Sequence, residues 1–299
     1  MNLNQDLMED PLVIFTHIQK TAGTTLQSII KQNYRSNQII TVPHRQPFSE
    51  VIESVQNQVN TSKIKIIQGH IGFGLHNYLP KSYGYITLLR DPVQRVISSY
   101  YFRQTNPDTK PMTLEEFCLA RESNAMTKWL SGLEFPYQVS IGFKDLKKAK
   151  EEGDTRLINY HNQDILQLLE LAKQNLKDNF KVIGITEKFD ETLILMKHYL
   201  GWRNIYYYRQ RVATNKPPES AFSPEILTFI QKHNQFDIQL YEYALELFNK
   251  QINEYGSFFE EDLQKFQTFN SVIGKVYAGS DKVRQILRIK SHINRLFSN

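Results

Sequence analysis

The sequence predicts an α/β protein: three P-loop-like layers, α/β/α, around a central, mainly parallel sheet. Three observations carry that prediction. Short apolar runs rich in β-branched and aromatic residues recur through residues 12–208, as strands covered on both faces do. Segments with helical spacing of apolar residues separate them. The first run, Leu12-Val13-Ile14-Phe15-Thr16-His17-Ile18, breaks into a Gly-containing loop and then into Leu26, Ile29 and Ile30 at helical spacing. Strand, loop and helix in that order open a nucleotide-binding unit.

The remaining elements follow in chain order. Ile64–Ile67, Tyr83–Leu89 and Lys181–Thr186 read as further buried strands. Pro92 suits the first turn of a helix carrying Val93, Val96, Ile97 and Tyr100. Met112–Gly132 and Leu146–Leu176 read as helices, and Phe189–Leu200 as one closed by Gly201. Ile205–Tyr208 reads as a short edge strand. Ser223 as N-cap and Pro224 at the first position start a long helix through about Asn249. Residues 1–250 are expected to form the α/β domain and residues 251–299 a helical, basic extension packed on it. In that tail Lys275, Lys282, Arg284, Arg288, Lys290 and Arg295 stand against Asp281, beside an apolar stripe from Val283 to Phe297. Such a helix docks on the core with its charges solvated, or lies peripherally on an anionic membrane.

Composition narrows the function classes. With 299 residues, 40% hydrophobic and 22% charged, the chain is neither collagen-like, coiled-coil nor wholly disordered. Lys and Arg total 36 against 31 Asp and Glu, a net charge of +5. That balance suits an anionic small molecule and is too weak to announce nucleic acid. Cys118 is the only cysteine, which excludes an intramolecular disulfide and a multi-cysteine zinc site and fits a reducing compartment. No run approaches the roughly 20 apolar residues of a membrane span, and no targeting segment is evident. A soluble, cytoplasmic protein is expected.

Two constellations carry the chemistry. After the first strand, Lys20, Thr21, Ala22, Gly23, Thr24 and Thr25 place a mobile cation, hydroxyls and a close-approach glycine at a helix N-terminus, where phosphate or sulfate binds. An ordinary strand-to-helix turn is the other reading of the loop alone. It is not a Walker A loop, because Lys20 precedes Gly23 by three residues. Later, Arg90 follows a strand and Ser98 sits two turns into the next helix, a fork and a hydroxyl for a second anion at the same sheet edge. A local Arg90–Asp91 pairing is the alternative there.

His17-Ile18-Gln19-Lys20-Thr21-Ala22-Gly23-Thr24-Thr25-Leu26 resembles the 5′-phosphosulfate loop of sulfotransferases, closest to the heparan sulfate 2-O- and 6-O-sulfotransferase branch. Leu89-Arg90-Asp91-Pro92-Val93-Gln94-Arg95-Val96-Ile97-Ser98-Ser99-Tyr100-Tyr101 resembles that branch's 3′-phosphate motif, about 70 residues downstream. The likeness extends weakly over most of residues 12–250 and leaves the tail uncovered. It departs at Gln19, where proline is usual.

The resemblance implies 3′-phosphoadenosine 5′-phosphosulfate (PAPS) as donor, adenosine 3′,5′-bisphosphate (PAP) as product, and no metal. Lys20, Thr21, Ala22, Gly23, Thr24 and Thr25 would hold the 5′-phosphosulfate, and Arg90 and Ser98 the 3′-phosphate. Arg211, Thr214 and Lys216 fall where a late cofactor loop is expected. The acceptor would be a hydroxyl or amine on a carbohydrate or small metabolite. Lys20 is the electrostatic partner of the bridging oxygen. His70, in Gln68-Gly69-His70, stands where similar enzymes keep their base, with His76 and His44 as rivals and His17 as strand interior or loop brace. Cys118 reads as core packing. Trp202 and Tyr206-Tyr207-Tyr208 read as core or as stacking partners for adenine or acceptor. A P-loop-like nucleotide kinase, and a non-catalytic glycan- or nucleotide-binding module, are the competing functions.

Overall fold

Leu12–Thr16 forms β1, and every one of its residues is buried, which is why the run is continuously apolar. The computed structural model describes residues 11–43, 48–61, 63–80, 82–132, 164–207, 217 and 221–272. Ile39–Val42 (β2), Ile66–Gly69 (β3), Tyr83–Leu89 (β4) and Phe180–Ile185 (β5) complete a sheet of order β2-β3-β1-β4-β5. All of its pairings are parallel. β1 is therefore central, and its C-terminal end lies between those of β3 and β4.

Helices Gly23–Asn33 (α1), Phe48–Thr61 (α2), Pro92–Gln104 (α3), Leu114–Leu119 (α4) and Ala125–Leu130 (α5) precede Ile165–Asn179 (α6), Phe189–Leu200 (α7), Pro224–His233 (α8) and Gln235–Tyr255 (α9). Residues 259–272 are also helical. No helix among the described residues is long and apolar enough to cross a membrane. One buried cluster wraps the sheet and takes in Phe248 of α9 together with Phe259, Leu263 and Phe266. A second joins Val93, Val96 and Ile97 of α3 to Leu114, Phe117 and Cys118 of α4 and Ile230 of α8. Cys118 is core, and burial raises its thiol pKa to about 11.

Several elements differ from the sequence reading for identifiable reasons. β3 starts and ends two residues later than Ile64–Ile67, because the polar Gln68 and Gly69 are paired with Phe15 and Thr16 of β1. The Met112–Gly132 helix is two helices, α4 and α5. Thr113 and Glu116 close a capping box on α4, and Asn124 takes a left-handed φ of 53° before α5. Asp164 accepts from the Leu166 N–H and starts α6 at Ile165; residues 146–163 of the expected helix lie outside the described residues. Ser223 and Pro224 start α8 as expected, but the long helix breaks at Asn234. Residues 205–207 form no strand; the Tyr207 N–H donates to Asn270 Oδ1 at 2.8 Å instead. Tyr208, Arg211, Thr214, Lys216, His44 and the tail beyond Val272 lie outside the described residues. β2 and α2 escaped the sequence reading, although α2 buries Val51, Val55 and Val59 at four-residue spacing.

The breaks at Asn124 and Asn234 have one cause. Asn124 Oδ1 accepts the Phe236 and Asp237 N–H groups at 3.0 and 3.2 Å, capping α9. In return Asp237 accepts the Met126 and Thr127 N–H groups and the Thr127 hydroxyl, at 3.1, 2.8 and 2.9 Å, capping α5. Arg95 Nη2 of α3 pairs with the same carboxylate at 3.3 Å. Asp237 is fully buried and ties three helices together. Removing it strands a buried guanidinium and the start of a helix, so Asp237→Ala is expected to cost about 3–5 kcal/mol. Urea denaturation measures this, and a loss below about 1 kcal/mol would contradict it.

Candidate active site

Strand register assembles the site. Thr16 is paired with Gly69 on β3 and with Thr87 on β4. The next residues of β1 and β3, His17 and His70, leave the sheet side by side. Their rings stack with centroids 4.3 Å apart. His70 Nδ1 lies 2.8 Å from the His17 carbonyl oxygen. A carbonyl only accepts, so Nδ1 carries the proton and the neutral ring keeps its lone pair on Nε2. His70 is half-buried at the sheet's C-terminal edge.

The loop after β1 is built around His17. A Cβ at Gly23 would sit 1.9 Å from His17 Nε2, so only glycine lets the start of α1 close over the ring. Lys20 and Ala22 both adopt left-handed backbone, φ 67° and 63°. Thr21 is fully buried and its hydroxyl donates to the Ile18 carbonyl at 2.8 Å, which uses it to brace the loop. Thr25 is buried and Thr24 half-exposed. No side chain caps α1, so its positive end is presented by backbone N–H groups, which suits an anion.

His17 is buried, and burial, with a smaller contribution from His70, lowers its pKa from 6.5 to about 3. The unfolded chain therefore takes up this proton below about pH 6.5 and the folded protein only near pH 3. The stability contributed by neutral His17 is complete above pH 6.5 and is lost as pH falls from there toward 3. Melting temperature measured between pH 7 and 4 is expected to fall more steeply for the wild type than for His17→Asn. Parallel curves would contradict this.

Arg90 follows β4 and reaches across to the loop. Its Nη1 donates to the Lys20 carbonyl at 3.1 Å. Its Nε faces Glu187 Oε1 at 3.8 Å and is buried without a hydrogen-bond partner among the described residues. Burial lowers the Arg90 pKa, opposed chiefly by Glu187, and the guanidinium stays charged. Glu187 is itself fixed by the Tyr241 hydroxyl at 2.9 Å and the Asp91 N–H at 3.2 Å. Asp91 caps α3 through the Gln94 N–H at 2.8 Å. Ser98 is half-buried on α3, and one turn further Phe102 carries the Lys20 ammonium 3.8 Å above its ring centre. Lys20, Arg90, Ser98 and His70 thus gather at one end of β1, β3 and β4.

The other aromatic and histidine candidates are committed elsewhere. His76 Nδ1 bonds the Tyr85 hydroxyl at 3.0 Å, which also accepts the Gly74 and His76 N–H groups. Trp202 is buried and donates to the Tyr34 hydroxyl at 3.0 Å. Tyr206 stacks on Phe266, and the Tyr207 hydroxyl donates to Asp190 at 2.7 Å. Glu187, Tyr241 and Phe102 escaped the sequence reading. Glu187 alone had a signal, because it follows β5 much as Arg90 follows β4.

A family model described as the sulfotransferase family matches residues 6–244. The chain belongs to the sulfotransferase family. As a sulfotransferase it is an enzyme, and the kinase and non-catalytic readings fall away. It is 25% identical over 264 residues to heparan sulfate 2-O-sulfotransferase 1 of Xenopus laevis, covering 80% of this chain and 71% of that one. To heparan-sulfate 6-O-sulfotransferase 2 of Homo sapiens it is 24% identical over 282 residues, covering 81% of this chain but 45% of that one. Among solved structures, a sulfotransferase from Alicyclobacillus acidocaldarius aligns at 12% identity and a TM-score of 0.41, covering 81% of this chain and 96% of that one. Among the described residues, a helix start with no side-chain cap and a buried arginine N–H with no hydrogen-bond partner stand at this sheet edge.

Proposed function

We propose that this sulfotransferase moves a sulfuryl group from PAPS to a hydroxyl of a carbohydrate, with His70 as base and Lys20 neutralising the leaving oxygen. The observation that carries the reading is the 2.8 Å contact between His70 Nδ1 and the His17 carbonyl. It puts the Nδ1 proton on the His17 carbonyl, three residues before Lys20, and so makes Nε2 the ring nitrogen that takes an acceptor's proton. The donor, when bound, supplies the electrophilic sulfur and a bisphosphate leaving group.

The chain's own residues do the rest. The N–H groups at the start of α1, with Thr24 and Thr25, hold the 5′-phosphosulfate. Arg90 and Ser98 hold the 3′-phosphate, and Glu187 keeps the guanidinium in place. Lys20 leaves the Phe102 ring to meet charge developing on the bridging oxygen. Both relatives above are named as O-sulfotransferases of heparan sulfate, which supports a hydroxyl over an amine and a carbohydrate over a small metabolite.

Isothermal titration in the presence of a chelator tests the donor site. Wild type is expected to bind PAP at least tenfold more tightly than adenosine 5′-phosphate, the share of a charge-assisted contact. Arg90→Ala should lose most of that preference and little affinity for the monophosphate. Equal losses for both nucleotides would remove Arg90 from the 3′-phosphate.

A further inference from the structure

A cavity of about 50 Å³ opens beside the donor loop, walled by Ile18 and Gln19, by α3, and by residues 117–129. At roughly 10–15 Å³ per water, it admits a few waters or one polar substituent. Its lining holds two buried polar atoms with no hydrogen-bond partner among the described residues, Arg95 Nε and Glu122 Oε2. Glu122 borders it with only 5% of its side chain exposed, and its Oε1 takes the Lys128 ammonium at 2.6 Å. Glu122 Oε2 is buried with no hydrogen-bond partner among the described residues. A carboxylate oxygen left so is a costly vacancy for a donor.

Arg121 borders the same cavity. It is half-buried, with its guanidinium 5.0 Å from the centre of the Phe117 ring. Burial and the neighbouring Arg95 and Arg103 disfavour its charge. A guanidinium, which only donates, thus borders the same cavity as an unspent acceptor, a combination that hydroxyl groups satisfy on both sides.

Position links the cavity to the reaction. Gln19 directly precedes Lys20. Trp129, also in the wall, donates its indole N–H to the Ile71 carbonyl at 2.9 Å and accepts the Phe73 N–H on its own carbonyl at 3.0 Å. Those bonds grip the segment just after His70. The cavity wall thus includes the residue before Lys20 and a tryptophan bonded to the segment just after His70.

We propose that this cavity is an acceptor-reading subsite, in which Glu122 Oε2 accepts a hydrogen bond from a non-reacting hydroxyl of the carbohydrate while Arg121 donates to an oxygen beside it. The proposal rests on the sulfotransferase reading above and makes Glu122 and Arg121 determinants of acceptor specificity. They stand outside both cofactor motifs.

Steady-state transfer from PAPS to a desulfated heparan oligosaccharide, run beside PAP titrations, tests it. Glu122→Gln is expected to raise the acceptor KM about tenfold or more, with kcat within about twofold and PAP affinity unchanged. Arg121→Met should shift KM in the same direction, and gives a second reading should the first variant fold poorly. An acceptor KM unmoved by both variants overturns the proposal. So does a loss confined to kcat, which would make Glu122 a proton acceptor, or an equal loss of PAP affinity, which would make it a brace of the donor loop. A wild-type protein that fails to bind PAP refutes the donor reading itself, and that outcome is distinct from the other three.

Discussion

His70→Ala is expected to lower kcat by about 10²–10⁴ while leaving PAP affinity within about twofold. The size follows from what the side chain does. A sulfuryl acceptor must lose its proton as the oxygen–sulfur bond forms, and His70, whose Nδ1 lies 2.8 Å from the His17 carbonyl oxygen, takes it on Nε2 in the proposed reaction. The split between kcat and nucleotide binding follows from where the ring sits. It hangs from the end of β3 and touches the donor loop through the His17 backbone and the 4.3 Å ring stack, and it is not among the groups assigned to either phosphate. His70→Gln, which preserves a donor toward the His17 carbonyl, should fold as the wild type does and remain as slow as alanine. Quenched transfer assays with calorimetry on the same samples check both points. Wild-type kcat in either variant would exclude His70 as the base.

Lys20→Ala is expected to cost about 10²–10³ in kcat, the scale of removing one preorganised charge from a developing oxyanion. Fold should survive, since the loop is held by other bonds: Arg90 to the Lys20 carbonyl, and Thr21 to the Ile18 carbonyl. The ammonium rests on the Phe102 ring at 3.8 Å, an exposed and therefore weak perch, so the swing toward a bound anion is inexpensive. Lys20→Arg should recover only part of the rate, because a planar fork does not replace a compact point charge on a crowded loop. Unchanged turnover in Lys20→Ala would remove the lysine from the mechanism.

How much of this was legible in sequence depends on the range of each interaction. β1 and β4 were readable because burial on both faces demands uninterrupted apolar residues, and the loop and Arg90 because anion binding needs particular residues at fixed local spacing. Gly23 was legible as a close approach, but its partner was expected to be an anion, and His17 Nε2 was invisible without the fold. β2, with an exposed Thr41 among four residues, is too short and too mixed to stand out. The breaks at Asn124 and Asn234 arise from reciprocal capping across about 110 residues, which no local pattern encodes. No local pattern marks Asp237, yet it is the buried joint of α3, α5 and α9. Glu122 belonged to no motif, and its orphaned oxygen emerges only when side chains are packed.

One nucleotide is expected to span two anion sites at the C-terminal edge of β1, β3 and β4. A crystal structure of the protein with PAP tests it most directly. The 5′-phosphate is expected on the backbone N–H groups of Gly23 and Thr24, with Lys20 turned from Phe102 toward it, and the 3′-phosphate within hydrogen-bond reach of Arg90 and Ser98. A nucleotide bound in another crevice, or one whose 3′-phosphate lies in solvent away from Arg90, would contradict it.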